Sequence, residues 1–421
     1  MDISFEEAHF SELPSQGNIY GLSSLTVGTT NKVLVASLRR KVFCVDYAQS
    51  RIPSTREINF TYIPAGAEII SVDAFNKSLE NHDFVIGITF IKSSESQSSQ
   101  YLNIYSDWEP GRLFDLDIIA QGCQSLELDF IPYQLTHAQL HTSEGTEIVC
   151  LLSGSDCKVH LYREDHSQQC FFEQTTTDFF PEFDDLPSIV HAINTCYIEE
   201  NKKRLTAVGC EDGYIRMCIV NVNSNGPEVL SMMCAQHDSP ISQVKLFTEK
   251  NFCVPPSFIT DDMLKKLRGD KETTFQLPEI HLLVISTLEP SVVYWNAYEN
   301  DLTQQLILPE SDYYDCVTCG IVADINMDGK NEILLGTYGQ ELLVYKLEKK
   351  DNGPGCYKLI FHRSFSHPLL SLAYLDIIGD GVKELLAFST KGLHILQHDL
   401  KKVSQLCQQR LQKLAALHQC S

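Results

Sequence analysis

Seven times along this chain an apolar stretch leads into a short turn and then a second apolar stretch rich in aromatic and aliphatic residues. "KVLVASLRRKVFCVDY" (32–47) is the first copy, and "DFVIGITF" (83–90) with "YLNIYSD" (101–107) is the second, split by the Ser/Gln-rich "KSSESQSSQ". The others are "EIVCLLSGSDCKVHLYR" (147–163), "RLTAVGCEDGYIRMCIV" (204–220), "IHLLVISTLEPSVVYW" (280–295), "EILLGTYGQELLVYK" (332–346) and "ELLAFSTKGLHILQ" (384–397). They start about every 50 to 75 residues, the scale on which repeat architectures announce themselves. β-Branched and aromatic residues flank turns such as Glu211-Asp212-Gly213 and Tyr338-Gly339-Gln340, so each copy predicts a β-hairpin. "SQVKLFTE" (242–249) and "PLLSLAYLDI" (368–377) supply further strands between copies. A hairpin with one or two flanking strands per repeat is the content of a propeller blade, and radial closure leaves few strand edges exposed. The helices that a parallel α/β sheet needs between its strands are missing. The expected fold is all-β: a seven-bladed β-propeller over 1–397, with a short α-helix over 398–421.

The rival organisation is two β domains divided near 165–200 or 250–280. The first gap contains "TTTDFFPEFDDLP" (175–187), whose mixture of Phe, Pro and Asp predicts an irregular surface loop. The second, "NFCVPPSFITDDMLKKLRGDKETTFQLPE" (251–279), is expected to be an insertion between strands of one blade. Within it Thr260 is suited to cap a short helix running to Leu267, which would make a docking segment.

Composition narrows the function classes. A length of 421 residues and 43% hydrophobic content suffice for a large core, while a net charge of -22 argues against nucleic acid or an anionic membrane as the main partner. No apolar run of about 18 residues exists to span a bilayer, and the acidic start "MDISFEEAHFSEL" is unlike a signal or transit peptide, so an intracellular setting is expected. The 15 cysteines are scattered through strand-like runs (Cys44, Cys150, Cys218) and read as small buried hydrophobes. Cys316 and Cys319 are closely spaced, but one such pair supplies half a tetrahedral zinc site. No nucleophile elbow, H-E-x-x-H or Gly-rich phosphate loop occurs, and the 14 histidines form no ligand-spaced cluster. The chain is read as non-enzymatic, with no cofactor required.

The tail "HDLKKVSQLCQQRLQKLAALHQCS" (398–421) lacks Gly and Pro and is rich in helix formers. Leu400, Val403, Cys407, Leu411 and Leu414 fall on one side at helical spacing, a row suited either to the propeller's own flank or to a partner helix.

One loop is chemically loaded. In "DINMDGKNE" (324–332), Asp324, Asn326 and Asp328 stand at alternate positions, Gly329 follows, and Glu332 closes the run. Oxygen donors at positions 1, 3 and 5 with Gly at 6 suit a hard cation such as Ca²⁺. The acidic closer arrives at position 9 between strands, which excludes an EF-hand. A copy, "DIIGDGVKE" (376–384), keeps Asp376, Asp380 and Glu384 but has Ile378 at position 3. The alternative is a turn in which Asp side chains accept backbone N–H groups with no ion. These loops resemble the FG-GAP-type repeats of integrin α propellers, where such loops bind calcium.

A broader resemblance runs nearly the whole chain, in order: "GNIYGL" (17–22), "FTYIPAGAEIISVDAFNKS" (60–78), "VIGITFIK" (85–92), "LNIYSDWEPG" (102–111), "LLSGSD" (151–156), "LEPSVVYW" (288–295), "TYGQELLVYK" (337–346) and "GLHILQHDL" (392–400). These segments resemble the kaptin family of FG-GAP-like propeller proteins. That resemblance implies a scaffold subunit of the KICSTOR complex, paired with a second FG-GAP propeller protein and held by a large scaffold subunit. Such a subunit helps bring the GATOR GTPase-activating complex to the lysosomal surface and so restrains TOR signalling when amino acids or glucose are withdrawn. It implies a cytoplasmic protein, peripheral at lysosomes through its complex. It also implies, as an alternative, association with actin filaments of lamellipodia and stereocilia. The acidic charge weighs against that alternative, since actin is itself acidic.

Overall fold

The computed structural model describes residues 3–28, 30–47, 53–77, 84–93, 98–106, 115–142, 145–199, 201–223, 226–249, 279–350 and 353–419. The insertion at 251–279, and with it the short helix expected at 260–267, lies almost wholly outside them. Among the described residues, seven four-stranded antiparallel sheets account for 28 strands. Six are built from consecutive strands: blade one spans 22–58, blade two 67–128, blade three 132–174, blade four 190–236, blade five 241–307 and blade six 317–364. Blade seven takes three strands from 369–398 and its outer strand, β1 (Phe5–Glu12), from the other end of the chain. β1 pairs antiparallel with β28 (Gly392–His398), Phe5 opposite His398 and Glu12 opposite Gly392, which closes the ring. The seven-bladed propeller expected from the hairpin repeat is the fold observed, and each repeat supplies the two central strands of a blade.

No single core holds the ring together. Seven apolar clusters each fill the wedge between two adjacent blades. Alternate residues of a central strand serve opposite wedges: Leu34 and Ala36 face blade two, while Val33 and Val35 face blade seven. Both faces being buried, these strands need apolar residues at nearly every position. That requirement produced the continuous apolar runs in the sequence.

The innermost strands do a different job. Polar side chains, most of them on these strands, reach across to the next blade at every junction. Asn18, just before blade one, donates to the Ile69 and Ile70 carbonyls (3.1 and 2.7 Å), His137 meets Asp73 at 2.7 Å, and Gln134 accepts the Ile193 N–H at 2.8 Å. Asn194 accepts the Leu246 N–H (2.8 Å), Gln243 accepts the Gly320 N–H (2.6 Å), and Thr318 donates to the Leu369 carbonyl (2.7 Å). Asn31 completes the circuit by donating to the Asp376 carbonyl at 2.7 Å. The central channel these strands enclose is a cavity of about 220 Å³.

The stretch at 175–187, expected as a surface loop, is exposed at Thr175, Thr177, Asp178, Asp184, Asp185 and Pro187 but also sends a buried plug inward. Two single 3₁₀ turns, Thr176–Asp178 and Pro181–Phe183, push Phe180, Phe183 and Leu186 into the wedge between blades three and four. Glu182 is 1% exposed and takes a two-pronged contact from the buried Arg204, with Nε–Oε1 at 2.7 Å and Nη2–Oε2 at 2.9 Å. Thr206 donates to the same carboxylate at 2.7 Å, and the Arg204 guanidinium lies 4.0 Å over the Phe180 ring. Arg216 donates to the Asp184 and Asp185 carbonyls at 2.5 and 2.9 Å. Of the segment's acidic side chains, Asp178, Asp184 and Asp185 do face solvent, and Glu182 alone is buried because the arginine that pairs with it sits on blade four.

Candidate functional site

The two acidic turns occupy equivalent places, each joining the inner strand of its blade to the first central strand. In blade six the turn links β22 (Val317–Ala323) to β23 (Glu332–Thr337). Gly329 adopts φ +87° and Met327 φ +61°, which curls the chain back upon its own carboxylates. Asp324 Oδ1 accepts the Asp328 N–H at 2.9 Å, and Asp324 Oδ2 accepts the Gly329 N–H at 2.8 Å. Asn326 Oδ1 accepts the Asp328 N–H as well, at 2.9 Å, and Asp328 Oδ1 accepts the Lys330 N–H at 3.0 Å. Glu332, fully buried, accepts the Ile325 N–H on Oε2 at 3.1 Å. Its Oε1 accepts from the Asn326 side-chain amide and, at 3.0 Å, from the Lys346 ammonium, which also contacts Asp328. Burial raises the Asp328 carboxyl, but Lys346 and the Lys330 amide outweigh it and hold the group below the ordinary carboxylate range. For Glu332 burial wins, and its carboxyl sits above that range despite the same lysine. The four residues singled out in the sequence are thus brought together, with backbone amides and one ammonium as their partners. Among the described residues, no three His, Cys, Asp or Glu side chains form a metal-ligand group.

The blade-seven turn repeats the backbone geometry: Gly381 has φ +87°, Gly379 takes the place of Met327, and Asp376 accepts the Gly379 and Gly381 N–H groups at 2.6 and 2.8 Å. Glu384 is fully buried and accepts the Ile377 N–H on Oε2 at 3.1 Å, but its Oε1 has no hydrogen-bond partner. Burial, reinforced by Asp380 and Asp376, pushes this carboxyl up to about 7 against the pull of the Ile377 amide. A folded-state value above the unfolded one means the native state gains protons relative to the unfolded state. Glu384 therefore favours folding most below about pH 4.5, and that contribution is lost as pH rises through about 7. Glu384→Gln is expected to stabilise the chain at pH 8 by up to about 3 kcal/mol and to change little at pH 4.5, as read by urea denaturation at the two pH values.

Both turns also latch neighbouring blades. The Asn331 side chain and N–H, in the blade-six turn, donate to the Thr248 and Glu249 carbonyls of blade five at 2.9 Å each. The blade-seven turn receives Asn31 from blade one.

The C-terminal helix (Leu400–Gln419) leaves β28 directly, capped by Asp399, whose Oδ1 accepts the Lys401 and Lys402 N–H groups at 2.9 and 3.3 Å. Its polar side chains, not its apolar row, make the hydrogen bonds to the ring: Arg410 donates to the Met327 carbonyl in the blade-six turn, and Lys402 to Ser4 Oγ at 3.3 Å. Val403 is half-buried, as is Leu406, which lies outside the row expected from helical spacing. Leu400 (45% exposed), Cys407 and Leu411 (60% exposed) face outward, and the Leu414 side chain lies outside the described residues. No helix among the described residues is long and apolar enough to cross a membrane.

The Cys316 and Cys319 thiols are both free, and burial pushes that of Cys319 up to about 12, which suits a core residue. The channel-facing groups Gln134, Gln243 and Thr318 are the ones that stitch blade to blade, and Asp73 is held by His137. The Glu182–Arg204 pair was not foreseen from the sequence, and only the spacing of an acidic residue between two Phe in "FFPEF" hinted at it.

A family model described as KICSTOR complex protein kaptin matches residues 5–408, which takes in all seven blades and the first turns of the C-terminal helix. The chain belongs to the kaptin family. It is 41% identical over 408 residues to the KICSTOR complex protein kaptin of Mus musculus, a match that covers 96% of this chain and 90% of that protein.

Proposed function

We propose that this chain is a non-catalytic scaffold subunit of a KICSTOR-type complex. Family membership supports the assignment to the complex, and the closed ring gives a rigid, many-sided frame of the kind scaffolds use. The observation that carries the partner-binding part is the C-terminal helix, which tethers to the propeller through Arg410 and Lys402 while presenting Leu400, Cys407 and Leu411 to solvent. An apolar row on an exposed helix is the form taken by helix-in-groove recognition. Within the complex the subunit pairs with a second FG-GAP-type propeller and a large scaffold subunit. Through them it helps bring the GATOR complex to lysosomes, so that TOR signalling falls on amino-acid or glucose withdrawal.

Affinity capture of the tagged chain from fed and starved cells, followed by mass spectrometry, tests this reading. Wild-type chain is expected to retain the complex subunits in both states. Deletion of residues 400–421 is expected to reduce their recovery about tenfold or more, the equivalent of losing about 1.4 kcal/mol of binding, with the melting temperature unchanged within about 2 °C. Undiminished recovery by the truncated chain would remove the helix from the interface.

A further inference from the structure

A loop that binds Ca²⁺ through alternating oxygens takes its positive charge from solution. The blade-six turn has a positive charge of its own. Lys346 lies on β24 (Glu341–Lys350), the strand paired with β23, and the register that sets Tyr345 opposite Ile333 brings the neighbouring Lys346 beside Glu332. Its ammonium contacts Asp328 and lies 3.0 Å from Glu332 Oε1, joining the fifth and ninth positions of the turn. Asp324 spends both of its oxygens on backbone N–H groups, and Asn326 Oδ1 is engaged in the same way. Each side-chain oxygen that would ligate a metal here thus accepts at least one hydrogen bond. The donor set does not fit Ca²⁺ in this arrangement. Binding would require expelling an ammonium held by two charge-assisted contacts.

Blade seven supplies an internal comparison. There Leu396 pairs with Leu385, so the position that Lys346 holds beside Glu332 falls to Gln397 beside Glu384. The turn keeps its carboxylates and its two left-handed residues, the ammonium of its own Lys383 lies 5.8 Å over the Tyr374 ring, and Glu384 Oε1 is left buried and without a partner. Two differences, Gln397 in place of Lys346 on the neighbouring strand and Ile378 in place of Asn326 within the turn, separate a turn with all its carboxylate oxygens engaged from one with an orphan.

We infer that Lys346 is the resident cation of the blade-six turn: its ammonium takes the place a divalent metal would hold, and the blade closes independently of calcium. The lysine arrives with the strand, so the cross-link between the turn and the second central strand is made whenever the hairpin forms. Removing the ammonium while leaving the four oxygen-bearing side chains in place converts the turn into a divalent-cation site.

The test is made in the full chain carrying Glu384→Gln, so that any metal response reports on blade six alone. Melting is followed in about 1 mM CaCl₂ and in about 1 mM EDTA, in the range that weak extracellular-type calcium modules need. The Glu384→Gln chain is expected to melt at the same temperature in both. Addition of Lys346→Met is expected to lower melting by several degrees in EDTA, with CaCl₂ restoring most of the loss. Lys346→Arg, which keeps the charge, is expected to lose little stability and to ignore calcium. If Lys346→Met does not fold in EDTA, its recovery of folded protein in CaCl₂ gives the same reading. A calcium response in the chain that retains Lys346, or none in the Lys346→Met chain, would overturn the inference.

Discussion

Glu182→Ala is expected to cost about 3–5 kcal/mol of folding stability, the range for breaking a buried ion pair from one side. The substitution leaves the Arg204 guanidinium buried without its counter-charge, because Nε and one Nη of that group have Glu182 as their carboxylate partner. It also strips Thr206 of its acceptor and loosens the turn that carries Phe180 and Phe183 into the wedge. Urea denaturation of the variant reads the cost directly. Two companions separate charge from packing. Glu182→Gln keeps the volume and two hydrogen-bonding atoms, so it should lose less. Glu182→Met with Arg204→Met removes both charges together and should recover much of the loss, since a buried pair replaced by apolar residues is often neutral. A cost below about 1 kcal/mol for Glu182→Ala would mean that water reaches Arg204 and that the plug is held by its aromatic residues alone.

Deleting residues 1–12 is expected to destabilise the ring by on the order of 5 kcal/mol or more. β1 pairs with β28 along nearly its whole length, and each net backbone hydrogen bond contributes about 0.5–1.5 kcal/mol. Phe5 adds burial in the wedge between blades six and seven, about 1.5–3 kcal/mol for a side chain of that size. The loss reaches further than those contacts. Arg363, the blade-six residue that donates to the Phe5 carbonyl at 2.9 Å, loses its partner, and the buried His394 loses both Glu7 and the ring of Phe10. β28 becomes an unpaired edge open to other chains. The expected readings are a lowered melting temperature and concentration-dependent aggregation, and a peptide of residues 3–13 added in trans should reverse both. A truncated chain that stays monomeric and melts like wild type would show that three strands suffice for the last blade.

How much of the fold was legible in the sequence depended on what each strand has to bury. The central hairpins could be found because both of their faces lie in apolar wedges, so Val33 to Ala36 or Leu385 to Phe388 leave no polar gap. Inner strands were harder to see. Gln134, Asn194, Gln243 and Thr318 interrupt them with polar side chains whose targets are backbone groups of the next blade, 51 to 77 residues away. Outer strands such as β5 (Pro53–Ile58) bury little beyond one residue, so "PSTREI" has no strand signature. β1, within the acidic start, has no strand signature for the same reason, and nothing local says that its partner is the last hairpin. At the acidic turns the carboxylates and glycines were correctly located, because Asp-rich turn chemistry is local. Which partner each carboxylate takes was not legible, because Lys346 reaches the blade-six turn through strand register. The plug at 175–187 failed similarly: a carboxylate between two phenylalanines is solvent-facing or core according to whether an arginine waits on another blade.

The pairing of β1 with β28 also sets a clock. The first strand leaves the ribosome with its edge unpaired, and its partner is synthesised almost 400 residues later. At about 5–20 residues per second that interval lasts roughly 20–80 s. Six blades can assemble in that time from consecutive strands, each against the one before, while the amino-terminal segment remains unpaired. The ring then closes in a late step that waits for synthesis of the last hairpin. A chain cut short anywhere before the last hairpin would carry two open ends, which cellular quality control has means to recognise.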